Sequence, residues 1–289
     1  MKKRLLFIQI ILSSFVLLSS LGCSYNAHLL KNGQISPGNK IAVKCIIKDR
    51  PSVQVSENGD FVFWATGPGP VMATLAHLIN TSNNNKYRKM LKSSLDRDSY
   101  SEKFTAAIRQ SITEHGFVIE ELRKIEKSPL NSGDLSHSSQ QKPDFILRLQ
   151  LAYGIFRSDG RCTAKIQGKL LKASPEKLIW KNQLIFEGHK SADHKLFGDG
   201  KDAVQAWVEN QDQLQTALEE VIAGAAAMLG SELAGTLPPI EDKPLVKIKL
   251  KPGGDIRGHI LEESGDRILI RLKGGSLRSF PAGKIVKIN

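Results

Sequence analysis

Three stretches decide how this chain folds: Asp144–Phe156 (DFILRLQLAYGIF), Arg161–Leu171 (RCTAKIQGKLL) and Lys177–Gly188 (KLIWKNQLIFEG). In the first, Phe145, Leu147, Leu149 and Leu151 alternate with Arg148 and Gln150. In the second, Cys162, Ala164, Ile166 and Gly168 alternate with Thr163, Lys165 and Gln167. In the third, Leu178, Trp180, Leu184 and Phe186 share one parity. A period of two sends one set of side chains to a buried face and the other toward water. The turn-forming groups Ser158-Asp159-Gly160 and Ala173-Ser174-Pro175-Glu176 separate the stretches, which predicts a three-stranded antiparallel meander.

Working outward, a long helix is expected from about residue 202 to residue 234. Val204, Trp207, Val208, Leu214, Leu218, Val221, Ile222, Ala225, Leu229 and Leu233 lie at helical spacing, and Gly235 and Pro238 end the run. This stripe reads as core packing against the meander. On the other side, KIAVKCII at 40–47 is β-branched and apolar, a buried first strand. Ser101 reads as an N-cap followed by Phe104, Ile108 and Ile112 on one helix face, with Gly116 as the stop and FVIEEL at 117–122 as a strand. The serine-rich stretch at 124–143 reads as a surface loop. An apolar insert at 61–79, FVFWATGPGPVMATLAHLI, either completes the core or makes a membrane or subunit contact. Trp64, Trp180 and Trp207 read as core or interface residues.

After a proline-containing linker at 236–244 the pattern changes to five short apolar segments with turns between them, which predicts a small antiparallel barrel. From 245 to 289 there are ten basic residues against four acids. Lys247, Lys249, Arg257, Arg271, Lys273 and Arg278 are the candidate anion-binding residues of that unit.

The start of the chain carries Lys2, Lys3 and Arg4, an apolar run from Leu5 to Leu21, then Gly22 and Cys23, the pattern of a secretory signal peptide. Ser20-Leu21-Gly22-Cys23 resembles the lipobox of bacterial lipoproteins. That resemblance implies cleavage before Cys23, lipid on its thiol and, with Ser24 following, the periplasmic face of the outer membrane in the cell envelope. Loss of the three basic residues at the start lowers the formal charge from +12 to +9, so the mature chain stays basic. With Cys23 lipidated, Cys45 and Cys162 remain, either as a disulfide in an oxidising compartment or as two buried thiols.

The ordered set KIAVKCI, AIRQSITEHGFVIEEL, PDFILRLQL and KLIWKNQLIFEG resembles the α/β domain of several envelope lipoproteins. These include the lipoprotein of the curli secretion channel, the outer-membrane activators of peptidoglycan synthases and the amino-terminal domain of the Tol translocation protein. The segment LKPGGDIRGHILEESGDRILIRLKGGSLRSFPAGKIVKI is similar to SH3-like and Sm-like barrels. The resemblance implies an α+β fold: an αβ sandwich, with a mixed or antiparallel sheet and packed helices, followed by a small all-β SH3-like barrel. The expected divisions are a signal peptide at 1–22, a lipidated tether at 23–39, the α/β domain at 40–235, the linker at 236–244 and the basic barrel at 245–289. The barrel is then expected at the end farthest from the membrane.

No nucleophile motif of the GxSxG or SxxK type is present, and no HExxH. His189, Asp193 and His194 lie close in sequence but on no fixed face, so a solvated loop is expected rather than a metal site. The reading is therefore a non-enzymatic envelope lipoprotein with no cofactor and no metal. It is anchored to the membrane by lipid, docks an envelope protein partner and binds no nucleic acid. Two alternatives stand beside it: a module for anionic envelope polymers or lipid heads acting through the barrel, and a homo-oligomeric, ring-forming secretion subunit.

Overall fold

A computed structural model describes residues 26–31, 33–47, 52–54, 89, 97–124, 142–156, 160–188, 203–250 and 255–289. Cys23, the insert at 61–79, and His189, Asp193 and His194 lie outside the described residues.

The strands are β1 (Lys40–Ile47), β2 (Ser52–Gln54), β3 (Val118–Lys124), β4 (Phe145–Phe156), β5 (Cys162–Ala173), β6 (Glu176–Glu187), β7 (Val246–Leu250), β8 (Asp255–Ser264), β9 (Arg267–Leu272), β10 (Leu277–Pro281) and β11 (Ile285–Ile288). The helices are α1 (Arg97–Glu114), α2 (Ala203–Glu209) and α3 (Gln211–Ala234). The meander forms as the alternation predicts, with β4, β5 and β6 antiparallel. On the far side of β4, β1 adds in parallel, and β3 adds in parallel to β1. The expected single helix near 202–234 is two, because Asn210 breaks it: its backbone N–H donates to the Trp207 carbonyl at 3.1 Å and its side-chain amide to the Ala206 carbonyl at 2.9 Å. Gly235, at a φ of +66°, closes α3 with its own N–H on the Glu232 carbonyl, and Thr236 donates to Ser231.

One face of the sheet holds the main core. Val43, Leu147, Leu149, Ile166, Trp180 and Leu184 meet Phe104, Ile108 and Ile112 of α1 and Leu218, Val221, Ile222 and Leu229 of α3. The two helices approach closely because Ser111 Oγ donates to the Ala226 carbonyl at 2.7 Å, and the missing Cβ of Gly230 leaves it room.

The expectation of an αβ sandwich followed by a separate SH3-like barrel is overturned. A single mixed sheet of eleven strands, ordered β11-β7-β8-β9-β10-β6-β5-β4-β1-β3 with β2 beside β4, runs through both regions, and three helices accompany it among the described residues. The five carboxy-terminal strands form where the turns predicted. However, Leu277–Ser279 of β10 pair in parallel with Leu184–Phe186 of β6, which leaves no break in the sheet. A small second core of Ile248, Leu250, Ile256, Ile268, Ile270, Leu272 and Phe280 lies inside these strands, while Leu261 and Leu277 join the main core. The linker is packed as well: Leu237 and Ile240 lie against the main core, and Lys243 Nζ donates to the Leu261 carbonyl at 2.9 Å.

The described part of the expected tether also belongs to the fold. His28 exchanges both backbone hydrogen bonds with Lys181 of β6 at 2.8 Å, Leu30 and Ile35 pack on the core, and Gly38 N–H donates to the Gly116 carbonyl at 2.8 Å.

Candidate functional site

Two of the six candidate anion-binding cations are removed from solvent by partners distant in the chain. Arg271 of β9 is buried against Glu232 of α3. Its Nη2 lies 2.7 Å from Oε2 and its Nη1 3.1 Å from Oε1, and Asn182 Nδ2 donates to the same Oε1 at 2.8 Å. Arg271 Nη1 also donates to the Gly275 carbonyl at 3.0 Å.

Arg278 of β10 is buried against Glu187, at the end of β6. Its Nε and Nη2 lie 2.8 and 2.5 Å from Oε1, while Lys284 Nζ lies 2.5 Å and Arg161 Nη1 3.5 Å from Oε2. Burial by itself would raise the Glu187 carboxyl, but Arg278, then Lys284 and Arg161, pull it down to about 2. Burial pulls Lys284 down to about 8, against the upward pull of Glu187. Arg267 completes this corner, stacked 3.9 Å over the Phe186 ring and donating to the Glu187 backbone carbonyl at 2.6 Å. These groups form the joint between β6, α3 and the carboxy-terminal strands. Arg271 and Arg278 are thus structural cations and leave the candidate set.

The other four stay together. Arg257 pairs with Lys247 across β8 and β7, and Lys273 N–H, just past the end of β9, donates to the Arg257 carbonyl, so Lys273, Arg257 and Lys247 form one row. The next row holds Asp255, Lys249 and Lys287, on β8, β7 and β11. Residues directly opposite across antiparallel strands share a face. Their neighbours Ile248 and Ile256 point into the small core, so these rows face outward, and all five cations are exposed. Lys247 reaches Asp255 at 2.6 Å. That hydrogen bond, with the charges of Lys247, Lys249 and Arg257, lowers the Asp255 carboxyl from its ordinary range. Lys287 was not among the expected residues; the alternation of KIVKI is the signal that places it on this face.

A second row of cations crosses the face of the main sheet opposite α1 and α3: Arg123, Lys44, Arg148, Lys169 and Lys181 are aligned on β3, β1, β4, β5 and β6. Arg148 pairs with Glu176 at 3.3 Å and Arg123 pairs with Glu121, and all five have interaction partners. These five are half-buried, whereas the five cations of the carboxy-terminal face are exposed, which makes that face the stronger candidate.

Cys45 and Cys162 are free, buried thiols. Cys45 stands opposite Leu149 of β4 and Cys162 opposite Ile155, six residues farther along that strand, about 20 Å away, which is beyond disulfide reach. Burial pushes the Cys45 thiol up to about 12 and raises Cys162 further, so neither is a nucleophile at neutral pH. Among the described residues no group of His, Cys, Asp and Glu could hold a metal ion, and no helix is long and apolar enough to cross a membrane.

No family model matches the chain, and no curated protein matches it. Solved structures give weak likenesses. A PelC dodecamer from Paraburkholderia phytofirmans is 11% identical with a TM-score of 0.30, covering 72% of this chain and 94% of that one. A hypothetical protein from Chlamydia trachomatis is 8% identical with a TM-score of 0.30, covering 68% and 99%. A DUF330 protein from Xanthomonas campestris is 12% identical with a TM-score of 0.30, covering 72% and 92%. At this level the likenesses carry no argument about what the chain does.

Proposed function

We propose that the chain is a non-enzymatic, lipid-anchored protein of the bacterial envelope whose docking surface is the basic face of β7, β8, β9 and β11. The anchor enters from the lipobox-like Ser20-Leu21-Gly22-Cys23. The observation that carries the docking surface is the register that gathers Lys247, Lys249, Arg257, Lys273 and Lys287 on one exposed sheet face with Asp255 as the carboxylate between them. Ion pairs and burial hold the other described cations of this region in the joint: Arg267, Arg271, Arg278 and Lys284. An array of exposed cations on short strands suits a polyanionic surface, where charge spacing matters more than pocket shape. The test is binding of the full chain to a soluble polyanion such as lipopolysaccharide at low and high salt. Binding that weakens as salt rises and is lost in Lys249→Gln/Arg257→Gln/Lys273→Gln supports the reading; salt-independent binding sinks it.

Docking of an envelope protein is the second reading, and β3 favours it. Among the described residues this strand is outermost in the sheet order, and it carries Val118, which is 44% exposed; such an edge suits addition of a partner strand. Glu120→Pro would abolish such a complex. A complex of unchanged stability in that variant would exclude this edge.

A further inference from the structure

We infer that the basic face rests on the membrane that carries the chain's own anchor, with anionic lipid headgroups as its ligand. This deepens the docking reading and rests on it. The amino-terminal segment enters the fold at the near end of the cation row. Ala27 N–H donates to the Gly274 carbonyl at 2.8 Å, one residue from Lys273, and the His28–Lys181 bridge holds the segment there. Gly275 makes the approach close: its φ is +89°, and a Cβ on it would lie 2.6 Å from the Ala27 Cβ.

Ala27 lies four positions after Cys23, and whatever path the chain takes those four steps span at most about 14 Å. The row Lys273–Arg257–Lys247 crosses two strand spacings, about 10 Å. A lipid on Cys23 is therefore tethered within roughly the length of the face itself. The carboxy-terminal strands accordingly lie beside the anchor and not at the far end expected from chain order. A lipid chain and a basic patch on one side of a protein form a two-signal membrane contact, each raising the local concentration of the other's ligand. Free polyanions would also satisfy the charges, but only the headgroups of the anchoring leaflet are brought to the face by the covalent geometry.

The test reconstitutes the acylated full chain into vesicles of phosphatidylcholine alone and into vesicles containing phosphatidylglycerol. Surface amines are labelled with a water-soluble reagent and read by mass spectrometry. Lys247, Lys249, Lys273 and Lys287 are expected to label several-fold more slowly in the anionic vesicles, relative to Lys103 on α1, with protection lost at high salt. In a Cys23→Ser chain, Lys249→Gln, Arg257→Gln and Lys273→Gln each weaken partition onto the anionic vesicles roughly five-fold. Equal labelling in the two vesicle types overturns the inference, as does a chain that carries no lipid on Cys23. If the face binds soluble lipopolysaccharide yet labels equally, the docking reading stands and the membrane assignment falls. If it does neither, both fall.

Discussion

Arg271 of β9 and Glu232 of α3 form a two-pronged buried ion pair, 2.7 and 3.1 Å long, that joins the carboxy-terminal strands to that helix. Removing one member leaves a buried charge without its partner. Arg271→Met alone is expected to destabilise the fold by about 3–5 kcal/mol, and Glu232→Leu added to it to restore much of the loss. Chemical denaturation of both variants checks this. A double variant no more stable than the single one would refute the pairing as the energetic link.

Glu187 makes stability depend on acid. Its carboxyl is held near 2 in the folded chain against an ordinary 4.5, so its stabilisation is complete above about pH 4.5 and is lost as pH falls toward 2. The shift corresponds to about 3 kcal/mol. Denaturant midpoints across that window should fall steeply for the native chain. Glu187→Gln should start lower, because Arg278, Lys284 and Arg161 lose their carboxylate, and should show a flatter acid limb.

Gly275 holds the amino-terminal segment by having no side chain. Gly275→Val combines strain at a φ of +89° with a clash on Ala27 and is expected to cost at least about 1 kcal/mol. Release of the segment would be read as faster trypsin cleavage at Lys31. Unchanged cleavage would mean that the His28–Lys181 bridge and the packing of Leu30 and Ile35 hold the segment without the Gly275 contact.

Triple neutralisation of the basic face, Lys249→Gln/Arg257→Gln/Lys273→Gln, should leave stability within about 0.5 kcal/mol of the native chain, since these side chains are exposed. Loss of polyanion binding with an unchanged melting curve would separate docking from folding. A large drop in stability would instead make the face structural.

The buried thiols offer a check on the core. Cys45 and Cys162 should resist aqueous thiol reagents in the native chain and react together on unfolding. Early reaction at Cys162 alone would reveal local opening at the start of β5.

Much of the architecture was legible locally. Leu147-Arg148-Leu149-Gln150 announces a half-buried strand, and the turns around Gly160 and Gly265 separate strands that do form. The joint was not legible, because its partners are far apart in sequence. Arg271 and Arg278 read as surface cations when taken with their neighbours, and only Glu232 and Glu187 explain their burial. Each carboxylate left a trace: Glu232 interrupts the apolar stripe of α3 between Leu229 and Leu233, and Glu187 ends the apolar run LIF of β6. An acid in an apolar face calls for a cation from elsewhere. The parallel pairing of β6 with β10 left no such trace, since register between distant strands is not written in either one.

That pairing has a consequence for how the chain comes into being. Until β10 arrives, the Leu184–Phe186 edge of β6 lacks the strand it pairs with, Glu187 lacks Arg278, and Glu232 lacks Arg271. Because the last strands complete the middle of the sheet rather than its end, the chain must be nearly fully synthesised before its centre can close. The joint of Glu187, Glu232, Arg271 and Arg278 therefore forms only at the end of synthesis, whatever the rest of the sheet has done before.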